Sequence, residues 1–317
     1  MTDSKKILAL CGGVGGAKLA LGLNHVLDSE ELSIVVNTGD DFDHLGLRIC
    51  PDIDTVTYTL AGIVNPDTGW GRAEETGSFM GSLSALGGED WFYLGDKDLA
   101  LHVERTRRLG AGESLSQVTT GIAGALGIGP RILPMSDDPV ATMVETTSGT
   151  LAFQHYFVRE RCEPPVSGFY FDGIDSARPH PDLMGLLADQ SLDAVIICPS
   201  NPFVSIDPIL SLPGVRQALS NCSAPVIAVS PIVGGKAVKG PTAKMMAELD
   251  LAPTSVEVLK RYQDIVDGFV LDQRDIDDLE QLKTMVAHVD VTDTLMLTLE
   301  HKVTLARTIL DFSVRCR

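Results

Sequence analysis

The stretch that most constrains this chain is a turn with four glycines in five positions, set between an apolar run and a helix-like run. Residues 7–11 are apolar and read as a short strand, and residues 19–27 carry apolar side chains at helical spacing. Only glycine lets a backbone fold so tightly while leaving its N–H groups uncovered. A helix N-terminus also carries partial positive charge and unpaired N–H donors. The pattern therefore predicts an anion-binding site at Gly12, Gly13, Gly15 and Gly16.

The spacing of this turn matches neither of two familiar phosphate loops. A dinucleotide-binding turn needs a third Gly or Ala where Lys18 stands, and a Walker A loop needs Ser or Thr where Leu19 stands. Neither NAD binding nor ATP hydrolysis is therefore predicted. The alternative is a tight strand-to-helix turn without a ligand, but such a turn needs only one or two glycines and no lysine.

Composition limits the classes of partner. The chain has 317 residues, 44% hydrophobic and 21% charged, which is enough for a real core. A formal charge of −18 disfavours nucleic acid as a partner. Every apolar run is shorter than the ~20 residues of a membrane helix, and glycine breaks the N-terminal run too early for a secretory leader, so we expect a cytoplasmic protein with no membrane partner. Six scattered cysteines predict neither zinc nor disulfides.

Two acidic clusters follow the first elements. Residues 32–37 form a β-branched run that ends in Thr38-Gly39-Asp40-Asp41, and a second cluster, at 51–55, opens a helix-like run. Carboxylates beside a phosphate-binding site indicate Mg²⁺, which binds one or two carboxylates together with phosphate oxygens and water. For Asp52 and Asp54 alone, helix capping is an equal alternative.

The whole pattern predicts an α/β fold, Rossmann-like and doubly wound, with a mostly parallel sheet and a largely helical insertion. The core is expected over residues 1–60 and 185–317, with strands at 192–198, 224–229, 268–271 and 287–291. The insertion, residues 61–184, is expected to cover the active site. It combines helices at 76–86, 99–109 and 114–126 with a hairpin at 140–157.

Nine strings, read together and in order, carry a family resemblance. They are GGVGGAK at 12–18, NTGDD at 37–41, CPDIDT at 50–55, GWG at 69–71, LGDKDLALH at 94–102, LPMSDDPV at 133–140, PSNP at 199–202, SPIVGG at 230–235 and KGPTAK at 239–244. From residue 6 to about residue 300 the chain closely resembles the 2-phospho-L-lactate transferase family (CofD/FbiA) of deazaflavin coenzyme F-420 biosynthesis.

The resemblance implies a phospholactyl-type transfer. Such enzymes pass the phosphoryl-acyl unit of a GDP-activated acid to a ribityl hydroxyl of the deazaflavin Fo (7,8-didemethyl-8-hydroxy-5-deazariboflavin), release GMP and require Mg²⁺. A guanylyltransferase is the implied functional partner, and a homodimer is the default expectation. The donor acid stays open between 2-phospholactate, phosphoenolpyruvate and 3-phosphoglycerate.

The resemblance also implies roles for single residues. Gly12, Gly13, Gly15, Gly16 and Lys18 would hold the diphosphate. Asp41 and Asp54 would be the catalytic and metal-binding carboxylates, each either holding Mg²⁺ or accepting the hydroxyl proton. The guanosine would meet Ser200, Asn201 and Ser230, and Tyr93 lies at a position near the acceptor. Asp96, Asp98 and His102 match a motif of unclear role, and a satisfied, partly buried histidine is as good an interpretation of His102.

Two other functions compete with this one. The first is another nucleotide-sugar or phosphate transferase on the same scaffold, and the second is a YvcK-like nucleotide-sugar binding regulator without this chemistry. A pure sensor has no need of carboxylates clustered beside bound phosphate, because they repel it unless a metal ion intervenes. The clusters at 37–41 and 50–55 therefore favour an enzyme.

Overall fold

A computed structural model describes residues 5–237 and 242–317 of the chain. The KGPTAK motif lies partly outside these residues. The described strands are β1 (Ile7–Cys11), β2 (Leu32–Val36), β3 (Phe42–His44), β4 (Leu47–Ile49), β5 (Arg131–Pro134), β6 (Ala141–Thr146), β7 (Gly149–Ala152), β8 (Val166–Asp172), β9 (Ala194–Ile197), β10 (Val226–Val229), β11 (Gly268–Asp272) and β12 (His288–Thr292).

The helices flank these strands, and two π-helical segments, His155–Arg159 and Pro202–Ile206, interrupt the pattern. The α-helices are α1 (Gly13–Asn24), α2 (Pro51–Leu60), α3 (Ser78–Ala85), α4 (Asp96–Gly110), α5 (Leu115–Ala125), α6 (Pro181–Ala188), α7 (Asp207–Ser211), α8 (Val215–Ser220), α9 (Thr242–Glu248), α10 (Ser255–Tyr262), α11 (Leu279–Leu282) and α12 (Leu299–Arg315). Within the described ranges, no helix is both long and apolar enough to cross a membrane.

The main sheet has seven strands in the order β12-β11-β10-β9-β1-β2-β5, and every neighbouring pair is parallel. The chain builds outwards from β1 in one direction through β2 and β5, and in the other through β9 to β12. The strand order therefore reverses between β1 and β9. In open parallel sheets, ligands bind outside the carboxyl ends of the strands at such a reversal.

Both faces of the sheet are covered by apolar packing. On β1, Leu8 and Leu10 join one buried cluster while Ile7, Ala9 and Cys11 join the other, on the opposite face. Helices α6, α8 and α10 contribute to the first cluster, and α1, α2, α5 and α12 contribute to the second. This arrangement explains the unbroken apolar runs of the strands and confirms the predicted doubly wound α/β fold.

The region between α2 and α6 differs in part from the expected insertion. The predicted hairpin is present as β6 and β7, and β8 pairs with the other side of β6 in a small antiparallel sheet. Strand β5, however, pairs with β2 at the edge of the main sheet. The span 61–184 thus contributes one strand to the core, and its division from the core as a separate domain stays a prediction.

Helix α1 begins earlier than the apolar pattern indicates. The expected start was residue 19, but the helix begins at Gly13, so most of the glycine run forms its first turns. The glycines permit close packing there. A Cβ at Gly15 would overlap the carbonyl oxygen of Pro199 after β9, and one at Gly22 would overlap the carbonyl oxygen of Lys302 in α12.

We predict that Gly22→Ala lowers the free energy of unfolding by about 1–3 kcal/mol, because the added methyl forces α1 and α12 apart. Urea unfolding measures the effect. The matched control is Gly81→Ala in α3, where nothing lies within 4 Å of the new Cβ. There the substitution should stabilise the protein by up to about 1 kcal/mol. A Gly22→Ala protein as stable as the wild type would contradict the tight packing of α1 on α12.

Candidate active site

A large cleft opens at the carboxyl ends of β1 and β9, where the strand order reverses. It encloses about 1870 Å³ of empty space, including open solvent at its mouth. The β1–α1 turn, the first turn of α2 and the segments after β9 and β10 form one end of its lining. Aromatic residues from the region between α2 and β8 form the other end. The cleft therefore joins a polar, backbone-rich end to an apolar, aromatic end.

Internal contacts hold the glycine turn at the floor of the cleft. Gly13 adopts a φ of +60°, a backbone conformation that favours glycine, and its N–H donates to Oδ1 of Asp52 at 2.7 Å. The Ser200 hydroxyl accepts from the Gly12 N–H at 3.1 Å and donates to the Gly12 carbonyl at 2.7 Å. The Asp52 carboxylate thus occupies part of the expected anion-binding site.

Asn37 connects this turn to the end of β2. Its amide nitrogen donates to Oδ2 of Asp52 at 2.9 Å and to the carbonyl of Val204 at 3.1 Å, and its Oδ1 accepts from the Gly39 N–H at 2.8 Å. Burial raises the pKa of Asp52 to about 6, against the hydrogen bonds from Asn37 and Gly13. Both oxygens of Asp52 are engaged, so this residue supports the turn.

Adjacent carboxylates after β2 face in different directions. Asp40 lines the cleft, is buried, and its Oδ1 has no hydrogen-bond partner among the described residues. Burial, together with the neighbouring Asp52 and Asp41, holds the pKa of Asp40 well above its usual range. Asp41 is not among the lining residues. Its Oδ2 lies 3.6 Å from Nη2 of Arg48 on β4, and burial raises its pKa to about 7.

Asp54 lines the cleft from the first turn of α2, but it is paired with a cation. Arg105 of α4 donates to both of its oxygens, to Oδ2 at 3.1 Å and at closer range to Oδ1. Asp54, with neighbouring acidic groups, raises the pKa of Arg105 despite the opposing effect of burial. A bidentate, buried pair of this kind leaves Asp54 poorly placed as a main ligand of Mg²⁺.

The three residues expected to meet a guanosine all line the same end of the cleft, where their side chains also fix the local backbone. Ser200 holds Gly12, as described above. Asn201 accepts from the N–H of Phe203 at 2.9 Å and so caps the following π-helical segment. Ser230 accepts from the N–H of Ile232 at 3.1 Å and contacts the Ser255 hydroxyl at 2.8 Å. Lys18 lines this end as well.

The opposite end concentrates the aromatic residues of a chain that has only 5% of them. Trp91 lines it, together with Tyr58, Phe92, Tyr93, Phe153 and Phe157, whereas Trp70 lines the cleft next to the glycine turn, since Gly69 packs against Val14. The rings of Phe153 and Phe157 stack in parallel at 5.5 Å. Tyr93 is 51% exposed at the mouth, where its hydroxyl donates to the Thr76 carbonyl at 3.3 Å. Such a wall suits a flat, conjugated ring.

The helix expected at 99–109 begins three residues earlier, within the LGDKD motif. Helix α4 begins at Asp96, and the helical spacing places Asp98 and His102 one turn apart, with both lining the cleft. Asp96 is not among the lining residues; its carboxylate accepts from the N–H groups of Ser78 and Phe79 and so joins α4 to α3. The motif therefore combines a structural aspartate with two cleft residues.

The carboxylates do not form a metal cage made of protein alone. Among residues 5–237 and 242–317, no group of three or more His, Cys, Asp or Glu side chains is arranged to hold a metal ion. A divalent cation here would need phosphate oxygens and water to complete its shell, as Mg²⁺ usually does. Asp40 lines the cleft and has a buried oxygen without a hydrogen-bond partner among the described residues, so it is the carboxylate that fits this requirement.

Comparison with known families identifies the family of the chain. The family model described as 2-phospho-L-lactate transferase CofD matches residues 7–306. The chain belongs to this family. It is therefore a transferase, in agreement with the motif order, and the family relationship supports transfer of a phosphorylated acid in coenzyme F-420 biosynthesis.

Similar proteins share nearly the full length. A phosphoenolpyruvate transferase of Kitasatospora aureofaciens is 39% identical, and the match covers 98% of this chain and 99% of that one. Proteins of the same name from Streptomyces griseus and Mycolicibacterium smegmatis are 37% and 39% identical, covering 98% and 91% of this chain and 99% and 94% of their own.

Solved structures support the fold. A member of the UPF0052 family from Bacillus halodurans superposes with a TM-score of 0.62 at 15% identity, covering 98% of this chain and 100% of that one. A second crystal structure of a Bacillus halodurans protein gives 0.54 at 16% identity, covering 96% and 90%. At this identity the likeness concerns the α/β architecture alone.

The sequence assigns no role to several residues that support the site. Asn37 belongs to the NTGDD string but has no predicted role, and Arg105 stands in none of the nine strings; neither lines the cleft. Of the aromatic residues that line the cleft, the sequence pointed to GWG at 69–71 and to Tyr93 alone, although Trp91, Phe92 and Tyr93 are consecutive in an aromatic-poor chain. Both glycines of GWG have positive φ, which places the exposed Trp70 on a tight loop at the cleft.

We predict that Arg105→Met lowers the free energy of unfolding by about 3–5 kcal/mol, because it leaves Asp54 as an uncompensated buried charge. The matched control is Arg107→Met on the same helix, which removes an exposed pair with Glu104 and should change stability by less than about 1 kcal/mol. Thermal and urea unfolding measure both. Equal effects of the two substitutions would contradict the importance of the buried pair.

Proposed function

We propose that this chain transfers a phosphoenolpyruvyl group from a GDP-activated acid to a ribityl hydroxyl of the deazaflavin Fo, with release of GMP. The observation that carries the proposal is the two-ended cleft: a polar end at the strand-order reversal and an aromatic end, with carboxylates between them. The family match and the names of its full-length relatives supply the reaction class and the acid.

The two ends correspond to the two substrates. The polar end offers backbone groups and small hydroxyl and amide side chains from the turns after β1, β9 and β10, which suit a nucleoside diphosphate. Gly15 and Lys18 line it, so the diphosphate passes beside the start of α1, where the helix dipole favours negative charge. The aromatic end suits the tricyclic ring of Fo, with Tyr93 at its mouth.

Mg²⁺ fits between these ends. Asp40 would hold it, with Asp41 behind Asp40 and paired with Arg48. When bound, the ion would neutralise charge on the transferring phosphate oxygens. The chain's own residues position the reaction: Asn37 and Asp52 hold the turn beneath the diphosphate, and Arg105 keeps Asp54 from adding free negative charge. Positioning of this kind is the main protein contribution to phosphoryl transfer.

The donor acid is tested directly by product mass. The purified chain is incubated with Fo, GTP, Mg²⁺, a partner guanylyltransferase and each candidate acid in turn. We expect a product with phosphoenolpyruvate that is two hydrogen atoms lighter than the phospholactyl product. A product only with 2-phospholactate or 3-phosphoglycerate would overturn the choice of acid, and no product with any acid would overturn the transferase proposal. Activity in excess chelator would contradict the need for Mg²⁺.

We predict that Asp40→Asn lowers turnover by at least about 100-fold and weakens the apparent affinity for Mg²⁺, because Asp40 lines the cleft and its Oδ1 has no hydrogen-bond partner among the described residues. Isothermal titration of Mg²⁺ in the presence of GDP gives a readout that does not need activity. Asp41→Asn is the paired variant. If Asp41→Asn abolishes Mg²⁺ binding and Asp40→Asn does not, the assignment made from the sequence holds and the one from the cleft fails.

The remaining expectations accompany this proposal. A homodimer in the cytoplasm, acting after a guanylyltransferase that supplies the activated acid, is consistent with the reaction class, and the dimer rests on base rates. Light scattering of the purified protein tests the dimer. The regulator alternative would bind nucleotide without turnover, so the mass-spectrometric assay also separates it from the transferase.

A further inference from the structure

A second polar group lies in the cleft, apart from the glycine turn, and the proposed reaction has so far used none of it. Asp98 of α4 is at its centre. The Tyr58 hydroxyl donates to Oδ1 of Asp98 at close range, and Nε2 of His102 lies 3.2 Å from Oδ2. All three residues line the cleft, and the side chain of Asp98 is 15% exposed to it.

The orientation of His102 follows from Arg105 behind it. Nη1 of Arg105 lies 3.3 Å from Nδ1 of His102 and also donates to Asp54. A guanidinium has only donors, so Nδ1 is the acceptor and the ring proton sits on Nε2, which faces Asp98. Tyr58 thus donates to the Asp98 carboxylate, and the Nε2–H of His102 lies beside its other oxygen, too far off line for a hydrogen bond in this structure.

Asp98, unlike Asp54, forms no ion pair with an arginine or lysine among the described residues. Asp54 is bound by Arg105, and both oxygens of Asp52 are occupied. Burial acts to raise the pKa of Asp98, but the neighbouring His102, the hydrogen bond from Tyr58 and the positive charge of Arg105 outweigh it and hold that pKa below its usual value. Asp98 also stands at the aromatic end, next to Tyr58, where the acceptor ring is proposed to bind.

We propose that Asp98 accepts a hydrogen bond from the attacking ribityl hydroxyl and takes its proton, with Tyr58 and His102 as positioning residues. This inference rests on the proposed function. The hydroxyl oxygen forms a new bond to phosphorus while the bond from that phosphorus to the GMP oxygen breaks. GMP leaves with the electron pair of the broken bond, and the proton passes to Asp98 and then to solvent. An ionised aspartate orienting a substrate hydroxyl plays this part in protein kinases.

The test compares Asp98→Asn with Asp96→Asn, in the assay with Fo and the activated acid. The control carries the same change two residues away, in the same helical turn and motif, and its carboxylate does not line the cleft. Asp98→Asn should lower kcat by at least about 100-fold, with KM for both substrates and Tm changed little. Asp96→Asn should lower Tm more than it lowers kcat.

The positioning residues have their own readout. Tyr58→Phe should lower kcat by about 10-fold, again with little change in KM. His102→Gln keeps an N–H donor towards Asp98 and should retain more kcat than His102→Leu. A merely structural role would change Tm and KM in parallel with kcat.

Each outcome has a distinct meaning. Wild-type protein is assayed first, so an inactive wild type counts against the proposed transferase. An active wild type together with an Asp98→Asn variant that keeps its kcat overturns the role of Asp98. So does an Asp96→Asn variant with an equal loss of kcat, because the motif would then act only by joining α4 to α3.

Discussion

The hydrogen bond from the Gly13 N–H to the Asp52 carboxylate is the contact on which the site depends. It joins the start of α1 to the first turn of α2, and Asn37 extends it to the end of β2 and the π-helical segment after β9. Four chain segments that are distant in sequence thus meet at one buried carboxylate. A side chain on Gly12 would collide with Asp52 and Ser205, so the glycine run is required by this junction whether or not phosphate binds there.

Some buried carboxylates in and around the cleft are paired with arginine side chains. The carboxylates without such a partner indicate where ligands would bind. Arg48 faces Asp41 and Arg105 binds Asp54, so two of the buried carboxylates already have cations. Among the described residues, no cation pairs with Asp40, and Asp98 has a hydrogen bond from Tyr58 but no arginine or lysine bound to it. An unpaired buried carboxylate costs several kcal/mol unless a cation or a donor arrives. In the proposed reaction, Mg²⁺ would supply that compensation at Asp40 and the substrate hydroxyl would supply it at Asp98.

The fold could be predicted from the sequence because its signals are local. Unbroken apolar runs mark the buried parallel strands, and the Ser114 cap marks the start of α5, where its hydroxyl accepts from the N–H of Gln117. The site could be predicted only in part. A motif places Asp40 and Asp41 side by side, but which one faces the cleft depends on Arg48, brought in by the hairpin of β3 and β4, which the sequence analysis did not predict.

The same reasoning explains why the start of α4 was misjudged. Gly95, Asp96 and Asp98 at its start are residue types common in turns, so the sequence predicts the helix only from residue 99. In the structure the Glu75 carboxylate accepts from the N–H groups of Lys97 and Asp98 and caps the helix from outside the segment. That long-range cap lets acidic residues begin a helix whose N-terminus faces the cleft. The dipole of α4 then favours a negative charge on Asp98, while the helical spacing sets His102 beside it.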